Sequence, residues 1–311
     1  MTAPRHPRFD PPTRRDAGAP EADLWKAIEL GDLAGIARAL EAGADPEAAA
    51  DEGGDDALGL ALSRSRPPSR HACARALMRA CSPKPVHLAR AAASGDMEML
   101  EAAHAWLLAR LGPAAEWIDH GAREVHNALM AATQSRSAVC VAALLDWGAD
   151  ARVADARVAD ALGSTPLLMA CAASAEDLVE LLAPVSDVDA ADRHGRTALM
   201  AAASHLACAR ALLPLCDPSP KDESGRDALE RTCSERPSAD DVALGICQAL
   251  RGRVSRLEWI ARAARASGIA DGRGNRDLAA ALLALVDVEI ERAQIDATAL
   301  GAGGGAGAAR L

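Results

Sequence analysis

The sequence predicts an all-α protein, a solenoid of helix-turn-helix units closed by a helical C-terminal cap. Composition and internal repetition carry that prediction. Of 311 residues, 76 are alanine, whereas Phe, Trp and Tyr together make up 2%, with no tyrosine and one phenylalanine. A β-sandwich or barrel needs strands rich in aromatic and β-branched residues. Alanine instead keeps its entropy in a helix and lets helices approach closely. The repetition is an opening of Asp-x-x-Gly-x, a small polar residue, a small residue and leucine. It occurs at Asp51-x-x-Gly54-x-Asp56-Ala57-Leu58, Asp160-x-x-Gly163-x-Thr165-Pro166-Leu167, Asp192-x-x-Gly195-x-Thr197-Ala198-Leu199 and Asp222-x-x-Gly225-x-Asp227-Ala228-Leu229. Asn127-Ala128-Leu129 is a reduced copy. The last three leucines, at 167, 199 and 229, are spaced at an interval that suits two short helices and a loop.

Along the chain, residues 1–20 are rich in proline and arginine and contain no apolar run of signal-peptide length. They are expected to be disordered. Residues 21–235 then hold about six units, some degenerate. Within a unit, the opening leucine starts an apolar inner helix, as in Leu167-Leu168-Met169-Ala170-Cys171. A second helix follows about ten residues later and ends in paired leucines, at Leu144-Leu145, Leu181-Leu182 and Leu212-Leu213. Glycine closes that helix in Ala42-Gly43-Ala44-Asp45 and Trp147-Gly148-Ala149-Asp150, since a residue free to take positive φ caps a C-terminus.

These motifs resemble the ankyrin repeat family: the Asp-x-x-Gly-x-Thr-Pro-Leu opening, the Ala-Ala inner helix, the Leu-Leu outer helix and the Gly-Ala-Asp exit. Leu30-Gly31-Asp32 and Ser94-Gly95-Asp96 look like the family's junction between helices, with Asp in place of His. The resemblance covers roughly residues 21–235 and implies a protein-binding module with a concave face and projecting loop tips. No copy carries the histidine of the family's Thr-Pro-Leu-His signature; Gly59, Met130, Leu168, Met200 and Glu230 stand there. The resemblance therefore implies a stack without the inter-loop hydrogen bonds of that histidine. The outer helix His104–Arg110 is stretched and precedes an insertion through His126. Residues 151–160 read Ala-Arg-Val-Ala-Asp twice, a tandem duplication suited to a surface loop.

Residues 236–298 form a helical extension or cap. Asp241–Arg251 and Ser255–Ala266 read as amphipathic helices, with Trp259 as a packing anchor. Asp271-x-x-Gly274-x-Arg276-Asp277-Leu278 echoes the repeat opening and leads into an Ala/Leu helix over Leu278–Ile295. A solenoid needs a last unit with a polar outer face, so a cap is the plain reading, and homodimerisation through this helix is the alternative to a monomer. Residues 299–311 are a flexible Gly/Ala tail.

Chemistry candidates are few. Cys73, Cys140 and Cys208 each stand four residues before an outer-helix leucine, and Cys171 and Cys233 hold inner-helix positions; all five read as small buried hydrophobes. Cys81, Cys216 and Cys247 are unassigned. His120 and His126, near Asp119 and Glu124, form the only local cluster of metal-binding types. No nucleophile elbow or phosphate-binding loop is present. Catalytic, cofactor and metal sites are thus expected to be absent.

A net charge of -10 argues against nucleic acid or an anionic membrane as partner. The expected partner is a protein with a basic patch, met by the loop tips Asp155, Asp160, Asp187, Asp189, Asp192 and Asp222, with Arg193, His194 and Arg196 as local contrast. The expected role is a non-enzymatic cytoplasmic scaffold or adaptor. A bacterial effector whose repeats target a small C-terminal activity domain is the alternative, the Ala/Arg bias suggesting a GC-rich bacterial genome.

Overall fold

The protein is seen in a computed structural model that describes residues 19–48, 55–63, 69–114, 118, 128–152, 163–203, 205–234, 240–251 and 254–304. Tertiary contacts divide it into two compact units, residues 1–161 and 162–311. The first holds α1 (Ala19–Leu30), α2 (Leu33–Glu41), α3 (Ala57–Ser63), α4 (Ser69–Leu77), α5 (Val86–Ala93), α6 (Met97–Leu111), α7 (Ala128–Gln134) and α8 (Ala138–Asp146). The second holds α9 (Pro166–Ala172), α10 (Glu176–Leu182), α11 (Ala198–Ala201), α12 (Leu206–Leu212), α13 (Ala228–Ser234), α14 (Asp240–Arg251), α15 (Arg256–Gly272) and α16 (Arg276–Gly304). Among the described residues no strand forms, and a single bridge joins Ala191 to Thr197 in a loop.

Odd and even helices form separate layers. In the first unit α1 packs on α3, α3 on α5 and α5 on α7, while α2 packs on α4 and α6 on α8. In the second, α9, α11, α13 and α15 pack in series, beside α10, α12 and α14. Alanine sets the inner layer's spacing: Ala131, Ala132, Ala170, Ala202 and Ala203 are all buried, where a longer side chain would push neighbouring helices apart. The outer helices bury Cys73, Leu77, Cys140, Leu144, Cys208 and Leu212.

The small polar residue of each opening caps an inner helix. Thr165 accepts a hydrogen bond from the Leu168 amide (3.2 Å) and Thr197 from that of Met200 (3.4 Å). Asp56 accepts from the Gly59 amide (2.9 Å). Asp227 accepts from Glu230 N (2.8 Å) while the Glu230 carboxylate accepts from Asp227 N (3.4 Å), a reciprocal capping box. At the junction to the outer helix, Asp96 caps α6 through the Met99 amide (3.2 Å). The same turn is closed by residues with positive φ at Arg136 and Ser174, both φ 58°, where glycine would be unstrained.

The loops are joined, but not by the family histidine. Ser135 Oγ donates to Ala92 O (3.1 Å) and Ser137 Oγ to Gly95 O (3.2 Å), so serines tie the α7–α8 turn to the α5–α6 turn. Asp56 is bound from the next unit by His87 Nε2, 3.1 Å from each carboxylate oxygen, and by Lys84 Nζ at 2.7 Å. His87 is fully buried and its Nδ1 accepts from the Lys84 amide, which places the proton on Nε2.

At the C-terminus, α15 takes the place of a further inner helix. Arg262 reaches back to Asp227 (3.4 Å) and Ser219 O (3.3 Å), and Arg265 reaches Glu230 (2.7 Å). Both ion pairs span 35 residues. Trp259 is buried and donates to Cys247 O (2.7 Å). Buried Glu289 on α16 draws Arg251 and Arg256 onto one carboxylate. The stretch read as a repeat opening at 271–278 is a helix-to-helix turn: Gly274 takes φ +83° after α15, and Asn275 caps α16 through the Leu278 amide (3.2 Å). It corresponds to the Gly95-Asp96 junction, because the preceding helix ends there instead of a loop. Helix α16 runs to Gly304, past the expected end at Ile295, and leaves Leu283, Val288, Ile290 and Ile295 exposed.

Candidate interaction surface

The loops 187–196 and 217–226 gather most of the expected contact residues. Asp155 and Asp160 lie outside the described residues, as do His120 and His126. Asp187 and Asp189 are exposed; Asp187 Oδ1 accepts from the Asp189 amide (3.2 Å), and Asp189 Oδ1 from the amide of Asp217 in the next loop (2.7 Å). Arg193 and His194 are exposed and Arg196 is half-buried. His194 Nδ1 lies 2.9 Å from the Glu223 carboxylate, and the Glu223 amide donates to His194 O (2.9 Å). Two adjacent loop tips are thereby braced against each other.

Asp192 and Asp222 do not project as contact residues: both are buried. Asp192 Oδ1 accepts from the amides of His194 and Arg196 (2.9 Å each), and Oδ2 takes the Arg196 guanidinium at 2.7 Å. Burial alone would raise the Asp192 pKa, but the amides and guanidinium of its own turn outweigh that and hold it below the usual carboxylate range. Asp222 repeats the arrangement, accepting from Ser224 N (2.9 Å) and Arg226 N (3.0 Å), with Arg226 and Arg231 beside Oδ2. These aspartates shape the turns. Asp55 is buried as well, against Arg90 at 2.6 Å.

Beside Glu223, two residues that the sequence reading passed over complete this face: Arg226 and Arg231. With Arg196 and His194 they border a pocket of about 250 Å³. Arg226 was legible, since it follows Gly225 as Arg196 follows Gly195. Arg231 was not, since it comes from α13 and reaches the loop only through packing.

All eight cysteines are buried as free thiols. Burial pushes Cys81 and Cys233 up to about 12 and Cys247 up to about 11, and raises Cys140, Cys171 and Cys208 as well. Such thiols are poor nucleophiles and poor ligands. Among the described residues no group of three His, Cys, Asp or Glu side chains could hold a metal ion, and no helix is long and apolar enough to cross a membrane.

Residues 129–223 match the family described as ankyrin repeats, in three copies. Those residues carry ankyrin repeats. Solved structures extend the likeness: the ankyrin repeat domain of Bcl-3, a unique member of the IkappaB protein family, is 21% identical, with a TM-score of 0.52, over 74% of this chain and 98% of that domain. The human ASB11 ankyrin repeat domain is 18% identical, with a TM-score of 0.52, over 73% of this chain and 96% of its own. At these identities the likeness establishes the fold. Among curated proteins none matches the sequence. Ankyrin repeats are protein–protein interaction modules, and loops 187–196 and 217–226 carry accessible polar groups on braced backbone.

Proposed function

We propose that the chain is a non-enzymatic cytoplasmic adaptor that grips a protein partner through the ankyrin loop tips of residues 187–196 and 217–226. What supports this reading is the bracing between adjacent tips: Asp189 receives the Asp217 amide and His194 meets Glu223, so exposed side chains stand on a frame fixed before a partner arrives. Preorganised groups lose less entropy on binding than mobile ones. Asp187 and Asp189, side by side and exposed, suit a lysine or arginine of the partner. The C-terminal helices support the adaptor over a chain carrying a separate activity domain, because Arg262 and Arg265 tie α15 to α13 as one repeat is tied to the next.

An affinity pull-down tests the proposal, comparing the wild type with Asp187→Ala/Arg193→Ala/His194→Ala. None of the three is buried, so the variant should melt within about 3 °C of the wild type. Recovery of at least one bound protein should fall by about tenfold. Equal recovery of every bound protein would remove these loops from the interface.

A further inference from the structure

The loop pair holds an arrangement that its acidic sequence conceals. Three arginines, Arg196, Arg226 and Arg231, border the pocket beside Asp222. The two carboxylates lie beneath: the Asp192 side chain has no exposed surface and that of Asp222 has 4%, whereas Arg226 is 40% exposed. Asp192 is saturated by its own turn and by Arg196. Asp222 Oδ1 is committed to two backbone amides, which leaves Oδ2 to face both Arg226, at 3.6 Å, and Arg231, at 3.3 Å. Two guanidiniums thus share one carboxylate oxygen, and the Nε of Arg226 is buried without a hydrogen-bond partner. The one solvent-exposed acid at the rim, Glu223, is engaged with His194.

A guanidinium presents a planar fork of donors that matches an oxyanion, and a second guanidinium beside it adds charge and direction. The pocket is of a size for one side-chain group, and its walls are fixed, because Gly195 lies against the backbone of residues 221–223 and the Glu223 amide bonds to His194 O.

We propose that Arg226 and Arg231, supported by Arg196, form a receptor for an oxyanion group on the protein partner: the carboxylate of an acidic side chain or the phosphoryl group of a phosphorylated one. The inference rests on the loop-tip reading above and sharpens it: beside the acidic edge at Asp187 and Asp189, the partner presents an anionic side group to the arginine pocket.

The test is a titration of the full chain followed by NMR, with three capped peptides, acetyl-Gly-Gly-X-Gly-Gly-amide, in which X is glutamate, phosphoserine or glutamine. Saturable shifts at the Arg226 and Arg231 Nε resonances and at the amides of 222–226 are expected with the glutamate peptide, the phosphoserine peptide or both, with Kd of about 1–10 mM for a single side-chain contact. The glutamine peptide should give none. The stronger of the two anionic peptides identifies the source of the oxyanion. Arg226→Gln/Arg231→Gln should weaken that binding by roughly tenfold or more, while Arg210→Gln, an exposed arginine on α12, should not change it. If the double variant fails to fold, Arg226→Gln alone serves, its side chain being the more exposed of the pair.

Absence of saturable shifts with both anionic peptides, equal shifts with the glutamine peptide, or unchanged binding in a folded arginine variant each overturns the proposal. The pull-down with the Asp187, Arg193 and His194 variant is scored separately. Partner loss there without peptide binding here would retain the loop-tip interface and discard the pocket.

Discussion

Gly195 and Gly225 hold the same place in successive openings and the same backbone conformation, φ +71° and +73°, yet alanine should not cost the same at the two. At Gly225 a Cβ would meet nothing within 4 Å, so Gly225→Ala incurs only the left-handed conformation, about 1 kcal/mol. At Gly195 the Cβ would lie 3.1 Å from Asp222 Cα, 3.2 Å from Lys221 O and 3.3 Å from Glu223 N. All three are backbone atoms of the neighbouring loop, and none can rotate away. Relief requires that loop to shift, which strains the hydrogen bond from the Glu223 amide to His194 O (2.9 Å). Overpacking of this kind adds about 1–2 kcal/mol, so Gly195→Ala should cost about 2–3 kcal/mol in total. Urea unfolding followed by circular dichroism gives both values if the m-values stay equal. Costs agreeing within about 0.5 kcal/mol would refute the claim that adjacent loops press together at Gly195, since that margin lies well inside the strain expected.

Two further outcomes follow from buried groups. Burial by itself would raise the Asp56 pKa, but the hydrogen bond from His87, followed by Lys84 and the Gly59 amide, outweighs it and holds the carboxyl far below its ordinary range. A carboxyl that titrates lower when folded stabilises the protein above its unfolded pKa of about 3.9 and loses that contribution as pH falls below it. Asp56→Asn should therefore destabilise the first unit by about 2–3 kcal/mol at pH 7, with the gap to wild type narrowing below about pH 4 in parallel urea titrations. The eight buried thiols should resist iodoacetamide at pH 7.5 in the native protein and all react in denaturant, as counted by mass spectrometry; rapid native alkylation of Cys81, Cys233 or Cys247 would contradict their burial.

What was legible in the sequence was whatever the backbone demands locally. A small polar residue ahead of an apolar run reads as a helix cap wherever it occurs, and Thr165, Thr197, Asp56 and Asp227 all serve as caps. Glycine in a turn and a cysteine four residues before a buried leucine are equally local facts. The contacts that escaped detection join residues about one repeat apart: His87 to Asp56, Arg262 to Asp227, Arg265 to Glu230. A repeat pattern records the residue that units have in common. It is silent about the departures that bond one unit to the next, such as the aspartate standing for threonine at 56 and 227.

The aspartates of the opening show how that silence misled the reading of charge. Counted along the chain, loop after loop looks acidic, and a basic partner follows from the count. In the folded second unit, an Asx turn uses one carboxylate oxygen for its own amides, and arginines of the same repeat cover the other. Asp192 and Asp222 therefore organise the face without presenting their charge on it, and beside them solvent meets the guanidiniums of Arg196 and Arg226 together with His194 and Glu223. A partner senses accessible charge at contact distance, since screening removes the remainder within about 8 Å at physiological salt. The net charge of -10 acts at longer range and discourages polyanions, whereas a single oxyanion in the pocket meets Arg196, Arg226 and Arg231 first.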